Sequence, residues 1–109
     1  ASEHLLGNAH VGANQMNENA KRFGSYFALP ELNHHLLEGL KFPHTVGSNM
    51  LFVMLESDKY YHRNKKRYEV TKKVFDKNKI HYFSYKTEEK DKLRQACEAL
   101  VFTTTRMLN

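Results

Sequence analysis

The residues best suited to chemistry lie in two short strings, N-E-N-A-K at positions 17–21 and P-E-L-N-H-H at positions 30–35. They place Glu18 and His34 sixteen residues apart. A carboxylate can move a proton between adjacent carbon atoms, and an imidazole donates and accepts protons near neutral pH. The two side chains together therefore predict proton-transfer chemistry.

Each of these residues also has a plain structural explanation. Glu18 could pair on a helix surface with Lys21 or Arg22, which would stabilise the helix by about 0.2–0.5 kcal/mol. His34 falls in the first turns of a predicted helix, where the helix dipole favours the neutral ring, and any one of seven histidines is more often structural than catalytic. Three nearby asparagines favour the functional interpretation, because amides are poor helix formers and good hydrogen-bond donors to a sugar.

Two other kinds of site are not expected. His34 and His35 are adjacent on a helix and point about 100° apart, and no cluster of further ligands accompanies them, so we expect no zinc site. Cys97 lies on the apolar stripe of the last predicted helix, which predicts a packed thiol and not a nucleophile. A single cysteine also excludes an internal disulfide, which fits a reducing cytoplasm.

The composition is that of one soluble domain, with 109 residues, 40% hydrophobic and 27% charged. The longest apolar run, residues 51–55, is too short to cross a membrane. A formal charge of +5 favours anionic partners, and much of the excess lies between residues 59 and 79. Because no glycine-rich loop or stacking motif accompanies the charge, a solvated helix face is expected there and not a nucleic-acid surface.

The spacing of apolar residues predicts an alternation of helices and strands. Helices are expected over 9–23, from Pro30 to about Gly39, over 62–77 and from Glu88 onward; strands are expected over 51–55 and 80–85; a loop is expected over 41–50. The faces predicted to be buried carry Ala9, Ala13, Met16, Ala20 and Phe23 in the first helix, Leu32, Leu36 and Leu40 in the second, Val70, Val74 and Phe75 in the third, and Leu93, Ala96, Cys97, Leu100 and Val101 in the last.

This order of elements predicts an α/β fold, a three-layer α-β-α sandwich of flavodoxin-like type around a parallel sheet. The strand over 51–55 should be central and covered on both faces, because it is continuously apolar. Two strands are too few for such a sheet, which usually has about five. We therefore expect residues 1–109 to form a single, partial domain.

The segment from Ala13 to Gly39, which carries both strings, resembles the second sugar isomerase (SIS) domain of the bifunctional phosphoglucose/phosphomannose isomerases. The later strand, helix and strand follow the same order, so the resemblance covers nearly the whole chain. It implies a cytoplasmic aldose-ketose isomerase that interconverts glucose 6-phosphate, and mannose 6-phosphate, with fructose 6-phosphate through a cis-enediol, without a cofactor. A non-catalytic SIS module that binds a sugar phosphate for regulation is the alternative.

The resemblance also implies roles for particular residues. Glu18 would be the base that moves a proton between C1 and C2, and His34 would assist ring opening in the neighbouring subunit of a homodimer. This chain has His35 where the family has asparagine, so either ring could take that role. The phosphate-binding loops and an arginine belong to the family's first SIS domain, so we expect this chain alone to be inactive. Neither nucleic acid nor a membrane is an expected partner.

Overall fold

The computed structural model describes residues 1–35, Gly39 and residues 49–107, apart from the side chains of His35 and Met107. Its elements are helix α1 (Leu6–Glu18), helix α2 (Glu31–His35), strand β1 (Leu51–Glu56), helix α3 (His62–Lys77), strand β2 (His81–Lys86) and helix α4 (Lys92–Phe102). A 3-10 turn, Glu3–Leu5, precedes α1, and a π-helical turn, Thr103–Met107, follows α4.

The two strands form a parallel sheet with helices on both faces. In register, Leu51 pairs with His81 and each following residue pairs with the next. The crossover helix α3 covers one face, where the ring of Phe75 stacks on that of Phe52 with centroids 4.7 Å apart. Phe102 of α4 covers the other face and stacks on Tyr85 at 4.1 Å. This arrangement confirms the predicted α/β fold and is consistent with a partial SIS domain.

Helices α1 and α4 lie side by side and run in the same direction. Asn8 Nδ2 donates to the Ala96 carbonyl at 2.8 Å, and further along both helices Gln15 Nε2 donates to Thr104 Oγ1 at 3.2 Å. Helix α4 follows β2, so it runs from the carboxyl edge of the sheet back toward the amino edge, and α1 does the same. Glu18, the last residue of α1, therefore lies toward the amino edge.

The core lies between these layers and is mainly aliphatic and aromatic. Its buried members include Leu5, Leu29, Leu32, Met54, Leu55, Tyr60, Tyr68, Phe75, Ile80, Ala99 and Phe102. Leu32 comes from the short helix α2, which begins directly after Pro30 as the sequence predicts. The predicted continuation of that helix through Leu36 and Leu40, and positions 41–48 of the predicted loop, lie outside the described residues.

The strands and the crossover helix match their predictions most closely. Helix α3 has the predicted bounds, and each strand includes most of its predicted range. The central position expected for β1 is not found, because within the described chain it pairs with β2 alone. Its burial also changes along its length, since Met54 and Leu55, which lie on opposite faces, are buried while Leu51 at its start is 65% exposed.

The predicted buried face of α3 is confirmed at Phe75 but wrong at Val70, which is half exposed; the other buried side chains of the helix are those of Tyr68 and Thr71. In this helix a tyrosine and a threonine, not Val70, face the sheet. Their hydroxyls are acceptable inside because Tyr68 donates to the Leu55 carbonyl at 2.8 Å and Thr71 to that of Arg67 at 2.7 Å.

In α4 the apolar stripe faces outward instead of inward. Leu93 is 76% exposed, Val101 is 60% exposed, and Cys97 is exposed as well, so the predicted packed thiol is wrong. The buried residues are Gln95, Ala99 and Phe102, which lie on the face that contacts α1 and β2. A pattern that counts only apolar residues selects the wrong face here, because a fully hydrogen-bonded glutamine occupies the inner one.

Candidate functional site

The N-E-N-A-K string forms a tight turn that ends α1. The Asn17 amide donates to the carbonyls of Ala13 at 2.9 Å and Gly24 at 2.8 Å, and its oxygen accepts the Gly24 N–H at 3.1 Å. These three bonds fold the following loop back onto the last turn of the helix. The helix therefore stops at Glu18, and Phe23, predicted to lie on its buried face, is 93% exposed.

Lys21 has an unusual backbone conformation in this turn. Its φ is +56°, in the left-handed region, which disfavours residues with a Cβ by about 1–2 kcal/mol. Its ammonium donates to the Glu18 carbonyl at 2.6 Å, one of the carbonyls left without a partner at a helix C-terminus. A lysine here thus places a positive charge at the negative end of α1, which glycine could not do.

The Glu18 carboxylate itself is exposed. The surface ion pair with Lys21 or Arg22 does not form, since Lys21 binds the main-chain oxygen, and no ion pair involves this carboxylate within the described residues. A carboxylate at the negative end of a helix is unfavourable by roughly 0.3–1 kcal/mol. Local stability therefore does not account for a glutamate at this position, and the carboxylate remains accessible to a ligand.

The chain after the turn runs back along α1 toward its beginning. Tyr26 stacks on His10 at 4.4 Å, and Leu29 is then held beside the first residues. Its N–H donates to the Ala1 carbonyl at 2.9 Å, and its carbonyl accepts the Ser2 hydroxyl at 2.8 Å. Since the thirteen residues of α1 span about 20 Å, Leu29 lies that far from the turn.

His34 lies on α2, which starts from this distant point. Asn33 donates from Nδ2 to Thr71 Oγ1 of α3 at 2.7 Å, so α2 packs against the helix on the other face of the sheet. The His34 side chain is exposed. From Leu29 to His34 the helix advances only about 8 Å, so His34 and Glu18 do not meet. The alternative ring, that of His35, lies outside the described side chains.

A separate polar network occupies the carboxyl edge of the sheet and centres on Gln95, which is fully buried. Its oxygen bonds Ser57 Oγ and His4 Nε2, and its nitrogen donates to Asp58 Oδ1 at 3.1 Å and the Glu89 carbonyl at 2.8 Å. All four hydrogen-bonding positions of the amide are thus satisfied. The apolar pattern of the sequence does not identify Gln95. Its spacing from Ala99 and Phe102, which share its face of α4, could have indicated that it is buried.

Beside this network a pocket of about 270 Å³ opens between the ends of both strands and the first turns of α3. Its lining includes the rings of Tyr60 and Tyr68 and the basic side chains of His62, Lys65, Lys66 and Lys86. Burial raises the pKa of Tyr60 to about 12 and raises the pKa of Tyr68 as well. Both phenols therefore stay neutral and carry no charge into the pocket.

Within the described ranges, no group of three or more His, Cys, Asp or Glu side chains is placed to hold a metal ion. No helix in the described part of the chain is long and apolar enough to cross a membrane.

The geometry thus separates the two candidate residues, Glu18 and His34, and leaves each side chain exposed.

The chain was also compared with known proteins. Residues 3–103 match the family model described as the bacterial phospho-glucose isomerase C-terminal SIS domain. Neither the curated proteins nor the solved structures gave a match. The family match covers almost the entire chain, including Glu18 and His34, and the chain therefore belongs to the family of C-terminal SIS domains of bacterial phosphoglucose isomerase.

Proposed function

We propose that this chain is the catalytic C-terminal SIS domain of a cytoplasmic aldose-ketose isomerase acting on glucose 6-phosphate, and on mannose 6-phosphate, to give fructose 6-phosphate. The observation that carries the proposal is the Glu18 carboxylate, which is exposed at the end of α1 on a turn fixed by Asn17. A fixed turn with an accessible base is what proton transfer between neighbouring carbons requires.

In this proposal Glu18 removes the proton from C2 of the open-chain aldose, and a cis-enediol forms. The same carboxyl group returns the proton to C1, which gives the ketose. The reaction moves one proton from C2 to C1 and a second from the C2 hydroxyl to the C1 oxygen, and the base must reach both carbons without changing place. Side chains that stabilise the negative charge of the intermediate, and the cradle for the sugar phosphate, would come from a first SIS domain of the same protein.

His34 would open the sugar ring by exchanging protons with the ring oxygen. The separation of His34 from Glu18 along α1 supports a role in a different active site from the one that its own Glu18 serves. A homodimer in which each subunit supplies Glu18 to one site and His34 to the other would use both residues.

The direct test is Glu18→Gln in the full-length protein, with glucose 6-phosphate as substrate. We expect the isomerisation rate to fall by roughly 10²–10⁴, while sugar-phosphate binding and the melting temperature stay close to those of the wild type. Glu31→Gln, which changes an exposed acid in the other string, is the matched control and should keep its rate. Near wild-type turnover in Glu18→Gln would refute the role of this residue.

The same experiment separates the enzyme from the regulatory module. A wild-type full-length protein that binds the sugar phosphate without isomerising it, in either direction, would favour the non-catalytic alternative.

A mixed dimer tests the exchange of His34 between subunits. Glu18→Gln and His34→Ala chains are each expected to be inactive alone. Mixed at random, half of the dimers would contain one chain of each kind, with one intact site, so activity should recover to about a quarter of the wild type. If Glu18 and His34 served the same subunit's site, mixing would restore nothing.

A further inference from the structure

The side chains that line the pocket at the carboxyl edge of the sheet carry more positive than negative charge. Lys65, Lys66 and Lys86 line it, and none of the three forms an ion pair within the described part of the chain. The Lys65 ammonium donates one hydrogen bond, to the Asp58 carbonyl at 3.4 Å. His62 adds a fourth basic side chain to the lining.

The two carboxylates of the pocket are already held by another cation. Glu56 Oε2 lies 2.7 Å from Lys72 Nζ and also accepts the Ser84 hydroxyl, and Glu69 lies 3.7 Å from the same ammonium. Burial lowers the pKa of Lys72, but the hydrogen bond and charge of Glu56 outweigh it and raise the pKa overall. Lys72 therefore stays charged, and the remaining lysines keep a net positive potential over the pocket.

The shape of the pocket favours a small ligand over a macromolecule. Its volume of about 270 Å³ is slightly smaller than that of the pockets for drug-sized ligands, which span roughly 300–1,000 Å³. The carboxyl edge of a parallel sheet is also where open α/β folds usually bind ligands. Tyr60 and Tyr68 also line the pocket, but they are only 3% and 1% exposed, so its accessible surface comes mainly from the charged side chains.

From this combination we propose that the pocket binds a phosphate group, as inorganic phosphate or as the phosphoryl end of a small phosphorylated metabolite. The site is distinct from the proton-transfer site, because Glu18 lies at the opposite end of α1. It also differs from the substrate's own phosphate cradle, which the proposed function assigns to another domain. The proposal does not depend on that function, since it rests on the charges and shape of this pocket alone.

The test follows the ring signal of His62 by NMR in full-length protein labelled with ¹³C-histidine, with the signal assigned from His62→Gln. Inorganic phosphate should shift this signal in a saturable way, and sodium chloride at equal ionic strength should not. In the double variant Lys66→Gln/Lys86→Gln the apparent Kd should weaken at least about tenfold. The matched control, Lys73→Gln/Lys77→Gln, removes two exposed lysines of α3 that do not line the pocket and should leave the Kd unchanged.

A second arm identifies the source of the phosphate group. Glucose 6-phosphate that shifts the His62 signal more tightly than inorganic phosphate would show that the sugar contributes, and equal affinities would assign the site to the phosphate group alone. The experiment is repeated in Glu18→Gln, which should not alter the titration and so separates this site from the isomerase site. No saturable shift, equal loss in both double variants, or a shift with oligonucleotide but not with phosphate would overturn the proposal.

Discussion

The two ends of α1 use polar side chains in opposite ways. At the carboxyl edge, near the start of α1, Gln95 spends all four of its hydrogen-bonding positions on protein partners and is fully buried. At the far end, Asn17 and Lys21 bind main-chain atoms, and the Glu18 carboxylate is left exposed. The hydrogen bonds of Gln95 stabilise the fold, whereas those of Asn17 and Lys21 hold the turn that carries the Glu18 carboxylate.

This difference explains why a separate domain is needed for the proposed reaction. Open α/β sheets usually bind ligands at the carboxyl edge, yet the string that carries Glu18 lies toward the amino edge. A solvent-exposed carboxylate has little control over water or substrate orientation. The proposed isomerase site would therefore be completed by surfaces from outside this domain, as the proposed first SIS domain would supply.

The largest expected difference in stability is between Gln95 and Glu18. Gln95→Ala leaves the buried partners of the amide unsatisfied, and we expect it to lower the free energy of unfolding by about 2–4 kcal/mol. Glu18→Gln should raise it by no more than about 1 kcal/mol, because it removes a carboxylate from the negative end of α1. Thermal and urea unfolding of the full-length protein measure both. Equal losses in the two variants would remove the contrast between the two ends.

Asn17→Ala should combine a smaller loss of stability with a loss of activity. It removes three hydrogen bonds of the turn, for about 1–2 kcal/mol, and frees the residue that carries the proposed base. We expect kcat to fall more than KM changes, because the carboxylate is displaced while the phosphate cradle is intact. Asn14→Ala, an exposed asparagine on the same helix, is the control. Similar kinetics in both variants would argue against a positioning role.

Lys21→Gly tests the role of the turn after α1, with Lys79→Gly as a control that has the same backbone strain. Lys21 and Lys79 have φ of +56° and +57°, so glycine should relieve strain of about 1 kcal/mol at either position. At position 21 the lost Nζ bond offsets this gain, and isomerase activity should fall. At position 79 we expect higher stability and unchanged activity. Unchanged activity in both variants would mean that Lys21 has only a structural role.

The smallest expected effect is a pH dependence that comes from Glu98, in the middle of α4. Burial raises the pKa of Glu98, but hydrogen bonds from Tyr85 and from the N–H groups of Glu88 and Glu89 outweigh it and lower the pKa below its ordinary value of 4.5. Its stabilising contribution is therefore present above about pH 4.5 and is lost as the pH falls through the lowered pKa.

Melting temperatures of the wild type and Glu98→Gln should accordingly differ by a constant amount above about pH 4.5 and converge as the pH falls below it, since protonation removes the same charge as the substitution. A difference that stays constant below this pH would contradict the assignment.

Sequence reasoning was most successful where one physical rule decides the outcome. The apolar run of β1 and the amphipathic pattern of α3 gave their positions, and the order of elements gave the α/β class. It was least successful where a polar side chain replaces an apolar one inside, as with Gln95, or where side-chain bonds end a helix, as at Asn17. The partners of Gln95 include residues 38 and 91 positions away, and those of Asn17 are only 4 and 7 positions away, but in both cases the deciding bonds are made by polar side chains, which apolar periodicity does not describe.

The candidate site was likewise predicted only in part from the sequence. The two strings identified Glu18 and His34 as residues of interest, and the family match covers both. Their separation depends on the return of the chain along α1 through Tyr26 and Leu29, which no spacing rule predicts. Their roles in catalysis remain predictions for the variants described above.

The parallel packing of α1 on α4 also sets an order of events during synthesis. The hydrogen bonds from His4, Asn8 and Gln15 reach residues 91, 88 and 89 positions later in the chain. Because a protein leaves the ribosome from its N-terminus, α1 is made before the other helices of this domain but has no docking surface on α4 until α4 has emerged. Within this domain, the helix that carries the proposed base is therefore synthesised early but reaches its final position late.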